Sequence, residues 1–351
     1  SQMRPIPARL VAPSGHPVDV NKPAGRVTAL DAARGIAILM MAYVHMVPSE
    51  GGTFAAKVTL ALEGKAAVLF FILAGMTWAR MSSDKPAAIF RRAAVYCVIG
   101  ILMHVTIWNT EVLLPLGICL VLFQLVRGKP RIGDTLATIG IAATLVVPLM
   151  FNGETAIDVF EQPGELLKPG GVLRAATFLL FTNSYPIVPW WSLVWFGCRL
   201  SRMEAMFARP FSLVAVGCGI AAIGGLGVLL AGVVPAALRP IFTVTWTPTT
   251  LPFVLQCSGA ALIIIGLAGW RERLFSFLMP LGRMSLTHYI GHILCVCIPL
   301  YRIYPEWNWP VGVGLSAFAI WLVGALLLSH FWMKRFSRGP LESTVHWLVS
   351  K

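Results

Sequence analysis

Ten apolar stretches, each near the length of a bilayer crossing, run through this chain. They lie at about residues 28–47, 66–82, 88–107, 112–127, 134–151, 175–197, 211–233, 250–269, 284–301 and 311–333. A helix needs roughly 20 predominantly apolar residues to cross the hydrocarbon core. The expected fold class is therefore all-α, a polytopic membrane helix bundle of about ten transmembrane helices. The sixth window is the least regular, because Pro186 and Pro189 interrupt it. Composition agrees: 57% of residues are hydrophobic and 12% charged, whereas soluble domains carry about 25% charged residues.

The formal net charge of +13 reads as topology, not as a nucleic-acid surface. One set of alternate loops holds Arg80, Lys85, Arg91 and Arg92, then Arg127, Lys129 and Arg131, then Arg199, Arg202 and Arg209, then Arg271 and Arg273, then Lys334, Arg335 and Arg338. The other set holds most of the acids, including Glu50, Glu63, Glu111, Glu154, Asp158, Glu161 and Glu306. Basic loops stay on the cytoplasmic side, so both termini are expected there. The expected organisation is a cytoplasmic tail over 1–26, one membrane domain over 27–336 and a cytoplasmic tail over 337–351. The loop near 152–173 is expected to lie outside. The seven cysteines are scattered through apolar runs without metal-ligand spacing, and no metal is implied.

Residues 30–45 carry the densest chemical signal. Arg34 and His45 stand eleven positions apart, which leaves them about 20° apart around a helix and about 16 Å apart along it. Asp31 lies one turn before Arg34. Intramembrane ionisable groups are costly and mark function. The arrangement suits a single narrow slot that holds a long substrate with a charged head and a reactive tip. A neutral imidazole at His45 can act as general base, against the plainer reading of an interfacial histidine. Glu63 could orient that ring or be an ordinary exposed acid.

Other candidates carry paired readings. Arg91 and Arg92 are phosphate clamps or snorkelling anchors, with Arg80, Lys85, Arg271, Arg273 and Arg283 enlarging the patch. Ser285, His288 and His292 fall on one helical face, where they could hydrogen-bond a polar ligand. His104 could line the same cavity as His45 or simply pack. Trp190 and Trp191 are belt residues or a platform for a sugar ring.

Several segments together resemble the transmembrane acyltransferase superfamily, in its YeiB-like branch. Leu-Asp-Ala-Ala-Arg-Gly-Ile-Ala at 30–37, with His45 following, is similar to the signature of acyltransferase family three. Glu63 with Phe-Phe-Ile-Leu-Ala-Gly at 70–75 resembles the second-helix pattern, and residues 91–104 the YeiB-type third helix. Tyr-Pro-Ile-Val-Pro-Trp at 185–190, Trp-Thr-Pro-Thr-Thr-Leu at 246–251 and Tyr-Ile-Gly-His at 289–292 resemble heparan-α-glucosaminide N-acetyltransferases. Arg-Gly-Pro-Leu-Glu at 338–342 is similar to the YeiB-like C-terminus. The loop at 46–62 lacks the histidine that those acetyltransferases place there, so the role falls to His45.

The resemblance implies transfer of an acetyl group from cytoplasmic acetyl-CoA, a co-substrate, to a hydroxyl or amine of a sugar-like acceptor. On this reading His45 and Glu63 are catalytic. Asp31, Arg34, Arg91, Arg92, Arg283, Ser285, Tyr289 and His292 hold the donor, and His104, Trp190 and His288 the acceptor. Three alternatives stand beside it: an acyl carrier protein as donor, a sugar or lipid-linked-glycan permease or flippase, and a membrane scaffold. The lipid bilayer is an expected partner, nucleic acid is not, and homodimerisation is left open. The expected location is the cell membrane of a bacterial-type cell.

Overall fold

The computed structural model describes residues 28–81, 85–106, 109–151, 162–203, 209–305 and 308–350. The tail over 1–26, Glu154, Asp158, Glu161 and Glu306 lie outside the described residues. Among the described residues the chain is helical and builds no sheet. Eight of its helical stretches are long and apolar enough to cross a membrane, and Leu113–Val126 and Gly171–Thr182 are shorter apolar helices. The fold is an all-α polytopic bundle.

Helix α1 (Thr28–Met46) is followed by α2 (Phe54–Leu62), α3 (Lys65–Arg80), α4 (Pro86–Thr106), α5 (Leu113–Val126) and α6 (Pro130–Phe151). The chain continues through α7 (Gly171–Thr177), α8 (Ile187–Leu200), α9 (Pro210–Leu230) and α10 (Leu251–Trp270). The closing elements are α11 (Met279–Arg283), α12 (Ser285–His292), α13 (Ile298–Ile303), α14 (Val311–Arg335) and α15 (Pro340–Ser350). Proline fixes several starts. It lacks an N–H and suits the first turn, where that donor has no helical partner, and α4, α6, α9 and α15 all begin with it. The interrupted sixth window resolves into a π-turn at Phe178–Thr182 and a fresh helix capped by Pro186.

Helix α1 is the axis of the bundle. It packs against α3, α10, α11, α12 and α14, and 61% of its apolar window is buried, against 11% for α14 at the periphery. The cause is its run of small residues, Ala32, Ala33, Gly35, Ala37 and Ala42, which lets neighbours approach on every side. The closest crossing is with α11. A Cβ on Gly282 would collide with the Asp31 carbonyl oxygen, and one on Gly35 with the Leu278 carbonyl. A second such crossing joins α3 to α8, where Gly75 lies on the Val194 carbonyl and Gly197 on that of Ile72. Between these crossings sits an aromatic core of Phe71, Tyr185, Trp190 and Phe253.

The last helix folds back on the basic end of the bundle. Glu342 of α15 accepts from the backbone N–H groups of Leu286 at 2.7 Å and Thr287 at 3.1 Å, and from the Thr287 hydroxyl at 2.6 Å. These contacts satisfy orphan donors in the first turn of α12. Gly282→Ala is expected to force the α1–α11 contact apart. Overpacking of this kind typically costs about 1–3 kcal/mol, so the variant should show a lower apparent Tm in detergent than the wild-type chain.

Candidate functional site

The expected single slot is two compartments. The inner one is a cavity of about 270 Å³ beside the first turns of α1. At its basic end stand Asp31, Arg34, Thr77, Arg283 and Ser285, and at its far end Phe70, Val112, Leu113 and Tyr289. A polar basin of about 400 Å³ adjoins its mouth, lined by Arg92, Arg338, Glu342 and His346, and shares Tyr96, Arg283, Ser285 and Leu286 with it. The outer compartment, about 470 Å³, holds His45, Glu50, Thr59, Glu63 and Trp309. The sequence pattern did not anticipate this division, because the wall between the compartments forms where His45 of α1 meets His292 of α12.

Arg34 is fixed rather than mobile. Its guanidinium donates to Asp31 at 2.6 Å and to the Thr77 hydroxyl at 2.5 Å. Asp31 is buried at 2% exposure, so each charge offsets the other's burial and the arginine stays aimed into the cavity. Arg283 donates to the Ser337 carbonyl at 3.2 Å, which ties the basin to the segment preceding α15. In the basin, partial burial and the Arg338 and Arg92 charges push His346 below its ordinary value. The basin's positive charge at neutral pH therefore comes from its arginines.

The wall between the compartments is a chain of imidazoles. His45 Nδ1 lies 2.9 Å from His292 Nε2, and His292 Nδ1 lies 2.9 Å from the His288 carbonyl oxygen. A carbonyl only accepts, so His292 Nδ1 donates, and in the neutral ring Nε2 must then accept. His45 Nδ1 is thereby the donor, which places the His45 lone pair on Nε2, the tautomer of a general base. A π-turn at Ile293–Cys297 begins directly after His292, a departure from α-geometry frequent at functional sites.

The structure brings Asp31, Arg34, Arg283, Ser285 and Tyr289 together on the inner cavity and Arg92 on the basin. It separates others. His292 engages the ring nitrogen of His45 for which Glu63 was a candidate, although Glu63 shares the outer cavity. Arg91 is exposed and donates to the Val349 carbonyl at 3.2 Å, so it docks α15 and lines neither compartment. Trp190 is a correction: it is fully buried, donates to the Thr249 hydroxyl at 3.1 Å and packs on Phe71 and Tyr185. It is core, not a sugar platform, and Trp191 is likewise buried. His288 turns towards α14, where its ring lies 2.6 Å from the Ser329 hydroxyl. On α12 the cavity-facing residues are Ser285, Leu286 and Tyr289, while His288 and His292 both face Trp321.

Sequence reasoning passed over Glu111, treating it as one more acid in a loop. It is buried at 3% exposure and accepts from the Leu113 N–H at 2.6 Å and the Leu114 N–H at 3.0 Å, capping α5. His104 is buried close enough to favour its ionised form, and it lines neither compartment. The available signal was position: a lone carboxylate just before an apolar helix is placed to cap it.

The structure is thus a multi-pass helical bundle with a basic basin, a narrow slot and a buried imidazole pair. Residues 26–217, more than half of the chain, match the family described as heparan-alpha-glucosaminide N-acetyltransferase, catalytic. Residues 202–351 match a family described as protein of unknown function (DUF418). The chain belongs to the heparan-α-glucosaminide N-acetyltransferase catalytic family, the acyltransferase-related group to which its YeiB-like segments pointed. Its general class is that of a multi-pass membrane acetyltransferase. No curated protein matches the chain.

Burial pushes the Glu111 carboxyl up to about 7, against the pull of its two N–H bonds. The native state therefore holds a proton that the unfolded chain releases near a typical carboxylate value of about 4.3. The stabilisation is complete below that value and is lost as pH rises through 7. The apparent Tm is expected to fall from pH 5 to pH 8, and to fall less in Glu111→Gln. Equal pH slopes for the two proteins would rule this out.

Proposed function

We propose that the chain moves an acetyl group from acetyl-CoA to a hydroxyl or amine of a sugar-like acceptor, with His45 as general base. The observation that carries this reading is the order of the compartments. An arginine-lined basin opens into an apolar slot that ends at Tyr289, and Tyr289 adjoins the His292–His45 pair with ring centroids 6.0 Å apart at the first step.

Each part suits one portion of the donor. Arg92, Arg283 and Arg338 present guanidinium forks to phosphates. Arg34, held by Asp31 and Thr77, marks the slot entrance, and the slot walls suit a thin pantetheine arm. The acceptor enters the outer cavity, where His45 Nε2 removes its proton during attack on the thioester. His292, fixed by the His288 carbonyl, holds that nitrogen in the accepting tautomer. Direct transfer in a ternary complex requires the His45–His292 wall to open far enough for the acceptor to meet the thioester. The acceptor identity, O- against N-transfer and an acyl carrier protein as donor belong to the test. The expected setting is a bacterial-type cell membrane, with the basin facing the cytoplasm.

The experiment uses the purified full chain with radiolabelled acetyl-CoA and two probes, methyl α-glucosaminide for the amine and methyl α-glucoside for the hydroxyl. His45→Ala is expected to lower kcat by roughly 10²–10⁴-fold, the usual contribution of a general base. Thermal stabilisation by CoA should survive in that variant and weaken in Arg34→Ala. Near-wild-type turnover by His45→Ala would reject the base. Uptake of the methyl glycosides into vesicles without CoA, and no acetylation, would favour a permease.

A further inference from the structure

The closed end of the slot contains an assembly that the proton transfer at His45 does not use. Tyr289 is buried and lines the slot, and the Val112 backbone N–H donates to its hydroxyl oxygen at 3.2 Å. A phenol oxygen can accept while its own O–H donates elsewhere, so the proton of Tyr289 remains to be given. Val112 lines the same end of the slot. Its amide is held in place because the next two amides, those of Leu113 and Leu114, are both bound to Glu111. The order is Glu111, the first turn of α5, Val112, the Tyr289 hydroxyl, then the slot.

Resting on the acyl-transfer reading above, we infer that Tyr289 is a catalytic residue whose hydroxyl donates to the thioester carbonyl oxygen, and that Glu111 is a positioning residue that sets it. The acceptor nitrogen or oxygen attacks the carbonyl carbon, a C–N or C–O bond forms, and the π pair moves onto the carbonyl oxygen. Tyr289 meets that charge. The pair then returns, the C–S bond breaks, and the sulfur leaves with its bonding electrons as a thiolate. The thiolate withdraws along the slot and takes a proton from water on reaching the basin, and the acceptor's proton leaves His45 for water in the outer cavity. One ester or amide and one thiol result, and no other reactant is required.

A donor aimed at developing charge in a water-poor cavity is worth far more than the same group in water. The Tyr289 ring is also a wall of the slot and a neighbour of His292. The oxygen that becomes negative and the base that becomes positive are therefore separated by one imidazole. His104 lies close enough to Glu111 to affect its charge, and its two N–H bonds set its direction.

Tyr289→Phe keeps the ring and deletes the donor. Its kcat is expected to fall roughly 10²–10³-fold, the usual effect of losing one oxyanion donor. The KM for acetyl-CoA should stay within about two-fold, since the lost interaction belongs to the transition state. Stabilisation by CoA, which has no carbonyl at that position, should not change. Glu111→Ala should lower kcat with KM preserved, while Glu111→Gln, which keeps an accepting oxygen for the α5 amides, should restore it. Should Tyr289→Phe fold poorly, 3,5-difluorotyrosine at 289 keeps the shape with a more acidic hydroxyl. Activity should then disappear at a lower pH than in the wild-type chain. A Tyr289→Phe kcat within two-fold of wild type, or a loss matched by lost CoA binding, overturns the proposal. The acyl-transfer reading fails separately, when the wild-type chain acetylates neither glycoside, and this proposal falls with it.

Discussion

The hydrogen bond between His45 and His292 organises the interior of this bundle. Two ring nitrogens in a lipid-embedded core cannot be left without partners, because an unsatisfied buried polar group there costs several kcal/mol. Each ring answers the other, and the His288 carbonyl fixes which nitrogen of His292 carries the proton. One backbone oxygen on α12 thereby determines the tautomer of a side chain on α1. The bond holds only if α1 and α12 stay in register. That register is set at the other end of the same pair of segments, where Gly282 lets the backbone of α11 rest on the Asp31 carbonyl.

The same crossing explains why the slot is narrow and carries its charged side chains at only one end. Close packing of α1 and α11 brings Asp31, Arg34 and Arg283 to one mouth. Above them the lining passes to Leu73, Ala74, Leu116 and Leu286, which offer no side-chain hydrogen bond to a ligand. A ligand that enters must present its charges to the arginines and its thin apolar length to the walls. Helix α15 and the segment before it complete the mouth by bringing His346 and Arg338 to the basin while Glu342 caps α12. The final segment of the chain thus contributes both to the basin and to the helix that carries Tyr289 and His292.

What could be read from the sequence divides along a physical line. Features within one helix were readable: the apolar windows, the Asp31–Arg34 pair at one turn's spacing, and His45 on the Arg34 face. Features created by two distant segments meeting were not. Nothing in the local pattern says that His292 lies 2.9 Å from a residue 247 positions away, or that Arg91 meets the Val349 carbonyl. Trp190 misled because an aromatic pair after two prolines looks the same in a belt and in a core. Only the packing of Phe71, Tyr185 and Phe253 around it decides. Glu111 was hidden for the opposite reason, since its loop position suggested solvent while its carboxylate caps a buried helix start. Helical periodicity places Ser285, His288 and His292 on one stripe. The cavity instead lies against Ser285 and Tyr289, because α14 covers the His288 side.

A wall of side chains separates the two compartments. A continuous water-filled channel would let water and ions cross the bilayer, whereas packed rings fill that path. Tyr289, His292 and His45 form such a wall, and each presents a polar atom as well as a ring. The barrier and the chemical groups are therefore the same residues. Enlarging the opening for easier access would remove the groups that make contact across it useful. That coupling accounts for an arrangement in which a narrow slot lies beside a wider outer cavity, with the rings of Tyr289, His292 and His45 between them.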